Sequence, residues 1–307
     1  MFLIILGLVF LVGNLGNGFI ALVNGVDWVR RRKISFTDLI LTTLAISRIG
    51  MLSSTFSSLL IGTLKPGLWN MEIISRTIIL TWVVTNHFSI WLATSLSTFY
   101  FFKIANFSNS FFLYLKWRVQ RVISLMILGS LVILCINGFL VNTAISEWIV
   151  ESKRNASSIS GSETSVPVFK RFFICIILFL CIPFAMSLIA FILLIFSLWT
   201  HYKKMQDCGR GLRDASTTAH VRALHTVIAF LILYSIFFFC LIILIWNYKF
   251  LETDRTIWPS EVAVIAFPSF HSYVLILGNS KLNWAFLDIL QWLGFRPRDP
   301  GTPGPLR

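Results

Sequence analysis

The chain has 307 residues, 56% of them hydrophobic and 13% charged, with a mean hydropathy of +0.80 and a net charge of +13. An ordinary soluble domain carries roughly 25% charged residues, so this chain has too few to cover so much apolar surface, and a soluble globular fold is excluded. Gly (17) and Pro (9) are ordinary in number, which excludes collagen-like and disordered chains.

Uncharged runs then follow one another along the sequence: Met1–Val26, Leu39–Leu64 (broken by Arg48), Thr77–Phe102, Val122–Ser146, Phe172–Thr200, Ala223–Tyr248 and Val262–Ser280. Each meets or nearly meets the ~20 apolar residues that a membrane span needs. Backbone groups in lipid must be satisfied within the segment, so each run is predicted to be a helix. The expected fold is an all-α membrane protein, a seven-transmembrane helix bundle forming one domain over 1–307. Its helices cover about 2–26, 38–64, 77–102, 122–146, 172–200, 223–248 and 261–280.

The first run has no basic stretch ahead of it and is followed by Arg30, Arg31, Arg32 and Lys33. That is a stop-transfer pattern, not a cleaved signal peptide. After Lys281, the residues Leu282, Phe286, Ile289, Leu290 and Leu293 fall at helical spacing until Gly294 and Pro297. They predict a short amphipathic helix over about 282–293 on the inner leaflet. Residues 151–166 are polar and Ser-rich, and read as a mobile outer loop. The final DPGTPGPLR reads as a disordered end.

An odd number of spans puts the termini on opposite sides. The loops after the first, third and fifth spans, with the tail, hold 17 Lys and Arg, against eight in the other loops. Positive-inside bias, carried mainly by the Arg30–Lys33 cluster, places the C-terminus in the cytoplasm and the N-terminus outside. The same topology separates two glycosylation sequons. Asn155-Ala156-Ser157 falls in the second outer loop and is the expected glycan site, whereas Asn106-Phe107-Ser108 falls in an inner loop.

Chemistry is sparse. No HExxH, GxSxG, Walker loop or dinucleotide fingerprint occurs. The five histidines lack zinc-ligand spacing, and the five cysteines show no CxxC. The sequence implies no enzyme, no cofactor and no metal. In a soluble protein a charge of +13 would suggest nucleic acid. Beside such long uncharged runs it fits basic loops facing membrane lipid and an intracellular partner, with no nucleic acid. A secondary transporter or channel is the alternative class, and would show several intramembrane acids or paired helix breaks. Here Arg48 is the lone charge inside a span, and Pro183 and Pro268 are isolated.

Arg48 lies ten residues past Asp38, ~15 Å along a helix. An arginine at that depth costs at least ~2.5 kcal/mol unless paired or hydrated. Snorkelling to the interface is the plain reading, but the distance is long for it, so a role in the bundle interior is expected. Trp82 and Asn86 are one helical turn apart and point the same way. They read either as an interfacial ring and a helix–helix hydrogen bond, or as one wall of a binding site.

Several strings at the span ends are specific. They are Leu44-Ala45-Ile46-Ser47-Arg48, the stretch Phe99–Asn109 (FYFFKIANFSN), His201–Gln206 (HYKKMQ), Asp214–His220 (DASTTAH) and His271–Leu282 (HSYVLILGNSKL). In this order, they resemble the bitter taste receptors (type 2 taste receptors), which are seven-helix G-protein-coupled receptors. The resemblance runs from about Gly13 to Leu282. It implies a chemosensory receptor for small bitter molecules that activates a gustducin-type heterotrimeric G protein at the inner loops of the plasma membrane. It also implies that Trp82 and Asn86 contact agonist, with Tyr234 and Phe237 on the opposite wall, although Phe237 also reads as simple packing. Asn24 and Ser272 are the implied partners of Arg48. Lys103, His201, Lys204 and His271, within the matching strings, are implied in activation or coupling. Glu261, at the outer end of the seventh span, reads either as an agonist contact or as a solvated helix cap. No cysteine falls in a predicted outer loop, so no disulfide is expected there.

Overall fold

The computed structural model describes residues 2–69, 71–156, 165–207, 215–246 and 254–294. The described residues form α1 (Phe2–Arg31), α2 (Phe36–Leu64), α3 (Pro66–Trp69), α4 (Glu72–Ile104), α5 (Ser110–Trp117), α6 (Val119–Ala156), α7 (Ser165–Asp207), α8 (Ala215–Trp246), α9 (Asp254–Gly278) and α10 (Ser280–Trp292). α1, α2, α4, α6, α7, α8 and α9 are the seven long helices. Six of them are long and apolar enough to cross a membrane, and α9 carries a shorter apolar stretch, Val264–Gly278.

The long helices close a ring in the order α1–α2–α4–α6–α7–α8–α9 and back to α1. Within that ring α4 leans inward, touching α7 and α8 as well as its neighbours α2 and α6, and it buries an unbroken stretch from Ser89 to Ser97. Much of that stretch is Ser, Thr and Ala, small enough for neighbouring backbones to approach closely. Their hydroxyls turn back onto the helix: Ser95 Oγ donates to the Trp91 carbonyl at 2.7 Å and Ser97 Oγ to the Ala93 carbonyl at 3.1 Å. Large apolar side chains such as Leu15 and Leu22 on α1, Leu125 and Val132 on α6, and Phe196 on α7 face outward. An apolar exterior around a partly polar interior is the arrangement that lipid demands.

Helix ends extend past the apolar runs because a helix need not stop where its charges begin. α4 starts at Glu72, and Arg76 there bonds Glu72 on its own helix, at 2.8 Å, and Asn142 and Ser146 on α6. The segment expected as a loop over 151–166 differs in the same way: α6 continues to Ala156 and α7 begins at Ser165, with 157–164 outside the described residues. The expected tail beyond Gly294 also lies outside them. Two short helices, α3 and α5, were not foreseen by span length. α10 is capped by Asn279, whose side chain accepts from the Leu282 amide, and Gly294 follows its end with φ of 79°. Only glycine takes that left-handed turn without strain.

α7 and α9 run through Pro183 and Pro268 without ending. Both proline carbonyls are engaged from across the bundle, Pro183 by Thr94 at 3.4 Å and Pro268 by Asn17 at 3.5 Å. α1 meets α9 at glycines: a Cβ on Gly13 would run into Ser269, with Leu52 Cδ1 at 2.9 Å. Gly13→Val should therefore destabilise the protein by ~1–3 kcal/mol through overpacking. Gly18→Val, where a Cβ meets nothing within 4 Å, should leave it near wild type. Thermal unfolding in detergent measures both, and equal losses would mean that the α1–α9 contact is not tight.

Candidate functional site

Arg48 occupies the interior between α2, α4 and α9 and is 0% exposed. Its Nε donates to Ser89 Oγ on α4 at 3.4 Å, and its Nη2 to His271 Nδ1 on α9. A guanidinium has only donors, so Nδ1 must offer a lone pair, which puts the proton of a neutral His271 on Nε2. The Phe267 ring lies 5.8 Å from the guanidinium carbon, and Phe230 stands 5.1 Å from the His271 ring. Among the described residues Nη1 has no hydrogen-bond partner. The side chain points into the bundle rather than along it to an interface, so snorkelling does not describe it.

Asn24 and Ser272, the implied partners, spend their hydrogen bonds elsewhere. Asn24 Nδ2 reaches the Asp38 carbonyl at 3.5 Å, and Ser272 Oγ folds back one turn onto the Pro268 carbonyl at 2.7 Å. Short hydroxyls find the i−4 carbonyl more readily than a distant side chain. Sequence reasoning missed Ser89, and also an ionic clip at the α10 end of the bundle. There Lys281 Nζ meets Asp27 at 2.7 Å and Asp38 at 3.1 Å, while Arg31 also holds Asp27 at 2.7 Å. Its signal was present: these charges stand at the ends of three spans and have opposite signs.

A second feature is a cleft between α4, α6 and α7, lined by Trp82, Val83, Asn86, His87, Asn137 and Leu180 among others. Its free space is about 20 Å³, room for about one water. Trp82 and Asn86 share it, as their spacing implies. The side-chain oxygens of Asn86 and of Asn137, which the sequence did not single out, are buried there without a partner among the described residues. His87 Nε2 and Ser130 Oγ, 3.3 Å apart, close the α4–α6 side.

Tyr234 and Phe237 do not line this cleft. Both are 0% exposed and belong to an aromatic stack in which Phe237 lies 5.3 Å from Phe267 and Tyr234 lies 5.2 Å from Phe184. Tyr234 sits one layer behind the cleft: its hydroxyl donates to the carbonyl of Leu180, a lining residue, at 2.8 Å. The stack continues through Phe267 to His271, at 6.1 Å. Cleft and buried arginine are thus joined by packed rings.

At the far end of α4, Lys103 is exposed, with its ammonium 5.5 Å from the Phe99 ring. α7 carries His201 and Lys204 in its last turns. Their side chains, like those of Glu261 on α9 and Asn155 on α6, lie outside the described residues.

The sequence model of the taste receptor protein (TAS2R) family matches residues 1–294. The chain belongs to that family. It is 51% identical to taste receptor type 2 member 117 of Rattus norvegicus over 284 residues, covering 92% of this chain and 89% of the relative. It is 48% identical to taste receptor type 2 member 14 of Papio hamadryas over 303 residues, 99% of this chain and 95% of that one. The protein is thus a bitter-taste G-protein-coupled chemoreceptor and a multi-pass membrane protein. Its family is one of receptors rather than of enzymes, and ligand binding with G-protein coupling is the family's general activity. The receptor reading, not the transporter alternative, is the one the family supports.

In the receptor, removing one member of the arginine pair strands the other. His271→Ala should cost ~1–3 kcal/mol by leaving Nη2 unsatisfied, whereas Arg48→Met combined with His271→Ala should recover part of that loss. Thermal unfolding of the single and double variants measures the coupling, and strictly additive losses would mean that the two side chains do not interact.

Proposed function

We propose that the receptor binds small bitter agonists at the cleft of Trp82 and Asn86, entering from the end of the bundle where α4 begins. The observation that carries this reading is the pair of buried, unpartnered amide oxygens of Asn86 and Asn137 on one small cavity. Leaving such acceptors unmatched costs free energy, and a ligand donor would remove that cost. A cleft of this size must widen to take a drug-sized molecule. Widening moves Leu180, and with it Tyr234, Phe237 and Phe267, toward a second packing around Arg48 and His271. Agonist that fits only the widened form shifts the population toward it. Glu261, at the mouth of the same end, favours cationic agonists.

The single seven-helix unit over 1–307 sits in the plasma membrane with the N-terminus outside and the C-terminus in the cytoplasm. The Lys/Arg excess on one set of loops supports this orientation. It assigns Lys103, His201 and Lys204 to the face that engages a gustducin-type G protein. Asn24 ties α1 to the Asp38 end of α2, and Ser272 steadies the α9 backbone next to His271, as that face rearranges. It also makes Asn155 the glycosylated sequon.

In cells carrying a chimeric G protein, calcium release against a bitter-compound panel tests the binding site. Trp82→Ala should raise the agonist concentration needed by roughly ten- to hundredfold, the loss of a central aromatic contact. Unchanged potency at matched surface expression would remove the cleft from the agonist site. Orientation has its own measurement: endoglycosidase should shift the wild type and the Asn106→Gln variant alike, and fail to shift Asn155→Gln. The reverse result would turn the receptor over.

A further inference from the structure

The corner where α4 gives way to α5 and α6 carries a feature that the proposed agonist site does not use. A groove of about 530 Å³ opens there, lined by Asn106, Leu113, Tyr114, Lys116 and Trp117. The inward side of α5 is anchored: Phe112 packs 5.0 Å from Phe107 and 5.6 Å from Phe102. Its outward side holds Leu113, Tyr114 and Trp117, the last 93% exposed. Three large apolar residues turned outward on one short helix suit a membrane interface better than water.

The described charges around the groove have one sign. Lys116 lines it, Arg118 sits on Tyr114 at its edge, Lys103 is close enough to act on Lys116, and Arg121 follows in the first turn of α6, while the sequence contains no Asp or Glu between Glu72 and Glu147. Among the described residues, no carboxylate pairs with any of the four. Lys116 is fixed rather than loose. Its Nζ donates to the Ala105 carbonyl at 2.7 Å, which leaves its two other N–H groups for an acceptor. Arg118 stands over Tyr114, with its guanidinium carbon 5.0 Å from the ring centre, and so stays at the groove edge. Burial, and then the nearby Lys103, hold the Lys116 ammonium below its usual pKa, the condition that a bound anion would relieve.

We propose that this groove is a binding site for an anionic phospholipid. The headgroup phosphate is held by Lys116 and Arg118, and an acyl chain lies along Leu113, Tyr114 and Trp117. Lipid fits better than a protein segment because the outward-facing stripe of α6 begins at Leu125, ~9 Å along the helix from Val119. The groove therefore sits at the edge of the bilayer rather than clear of it. Neutral lipid would fill the apolar floor and leave the cations unmatched.

Full-length receptor in vesicles of phosphatidylcholine and phosphatidylserine, with brominated tails on one lipid at a time, tests the assignment. The difference in tryptophan fluorescence between wild type and Trp117→Phe isolates the signal of Trp117. That signal should be quenched several-fold more by brominated phosphatidylserine than by brominated phosphatidylcholine. Lys116→Gln and Arg118→Gln should each reduce the preference by roughly fivefold, while Lys116→Arg keeps it. Matched thermal unfolding shows that the variants are folded. Equal quenching by the two lipids, or quenching by neither, would overturn the proposal. So would a Trp117 signal that responds to purified heterotrimeric G protein and not to lipid, which marks a protein-docking face. Loss of the preference on adding inorganic phosphate alone would make the site one for a free anion.

Discussion

A guanidinium with no carboxylate beside it among the described residues lies inside the bundle, and the packing of three helices depends on how that charge is accommodated. Arg48 projects from α2 and donates its hydrogen bonds to Ser89 on α4 and His271 on α9, under the face of Phe267. A charge in a low-dielectric interior is tolerated only when polar groups are aimed at it. Ser89 therefore has to be small and hydroxylated, and His271 has to be neutral. Because the three elements meet at one side chain, none of them can rotate about its axis without leaving a donor unmatched.

The rest of the interior relies on close approach and on rings. α4 presents small hydroxylated residues to its neighbours, and Thr94 joins Ser187 at 3.0 Å and the Pro183 carbonyl. α8 contributes almost none of this polar lacing among the described residues. It offers Phe230, Tyr234 and Phe237, which stack toward Phe267 and His271. Polar contacts have one good geometry, whereas stacked rings tolerate small slides at little cost. Helices laced by hydrogen bonds and helices joined by rings thus meet at His271.

The architecture was legible because lipid leaves little choice. A run of uncharged residues of spanning length has one stable backbone form, so the seven helices follow from charge placement alone. α3 and α5 were not legible that way, since short helices between spans are fixed by local packing such as that of Phe112 against Phe102. In the site, the spacing of Trp82 and Asn86 put them on one cavity. The depth of Arg48 marked it as an interior group. Its partners were not legible. Ser89 and His271 lie 41 and 223 residues away in sequence, and no periodicity connects them. Tyr234 and Phe237 sit on the expected helix but one layer back, because aromatic rings there gain more from stacking on one another than from facing a cleft. Asn137 was invisible: an asparagine inside an apolar run shows itself only when its carboxamide is found without a partner.

Fastening is uneven around the ring, and the ionic clip at α10 shows where. Lys281 grips Asp27 and Asp38 together, so α1, α2 and the start of α10 are riveted at one point by opposite charges. Swinging α10 away would pull two carboxylates off one ammonium at once. Across the bundle, among the described residues, Tyr234 gives α8 a bond to α7 at the Leu180 carbonyl, and ring faces such as Phe184 against Tyr234 and Phe238 lie beside it. The molecule is built like a door: α1, α2 and α10 are pinned at the hinge, and α7 stays bonded to the α4 frame through Thr94 and Ser187. α8 is the leaf, held to α7 among the described residues by one latch, the hydroxyl of Tyr234.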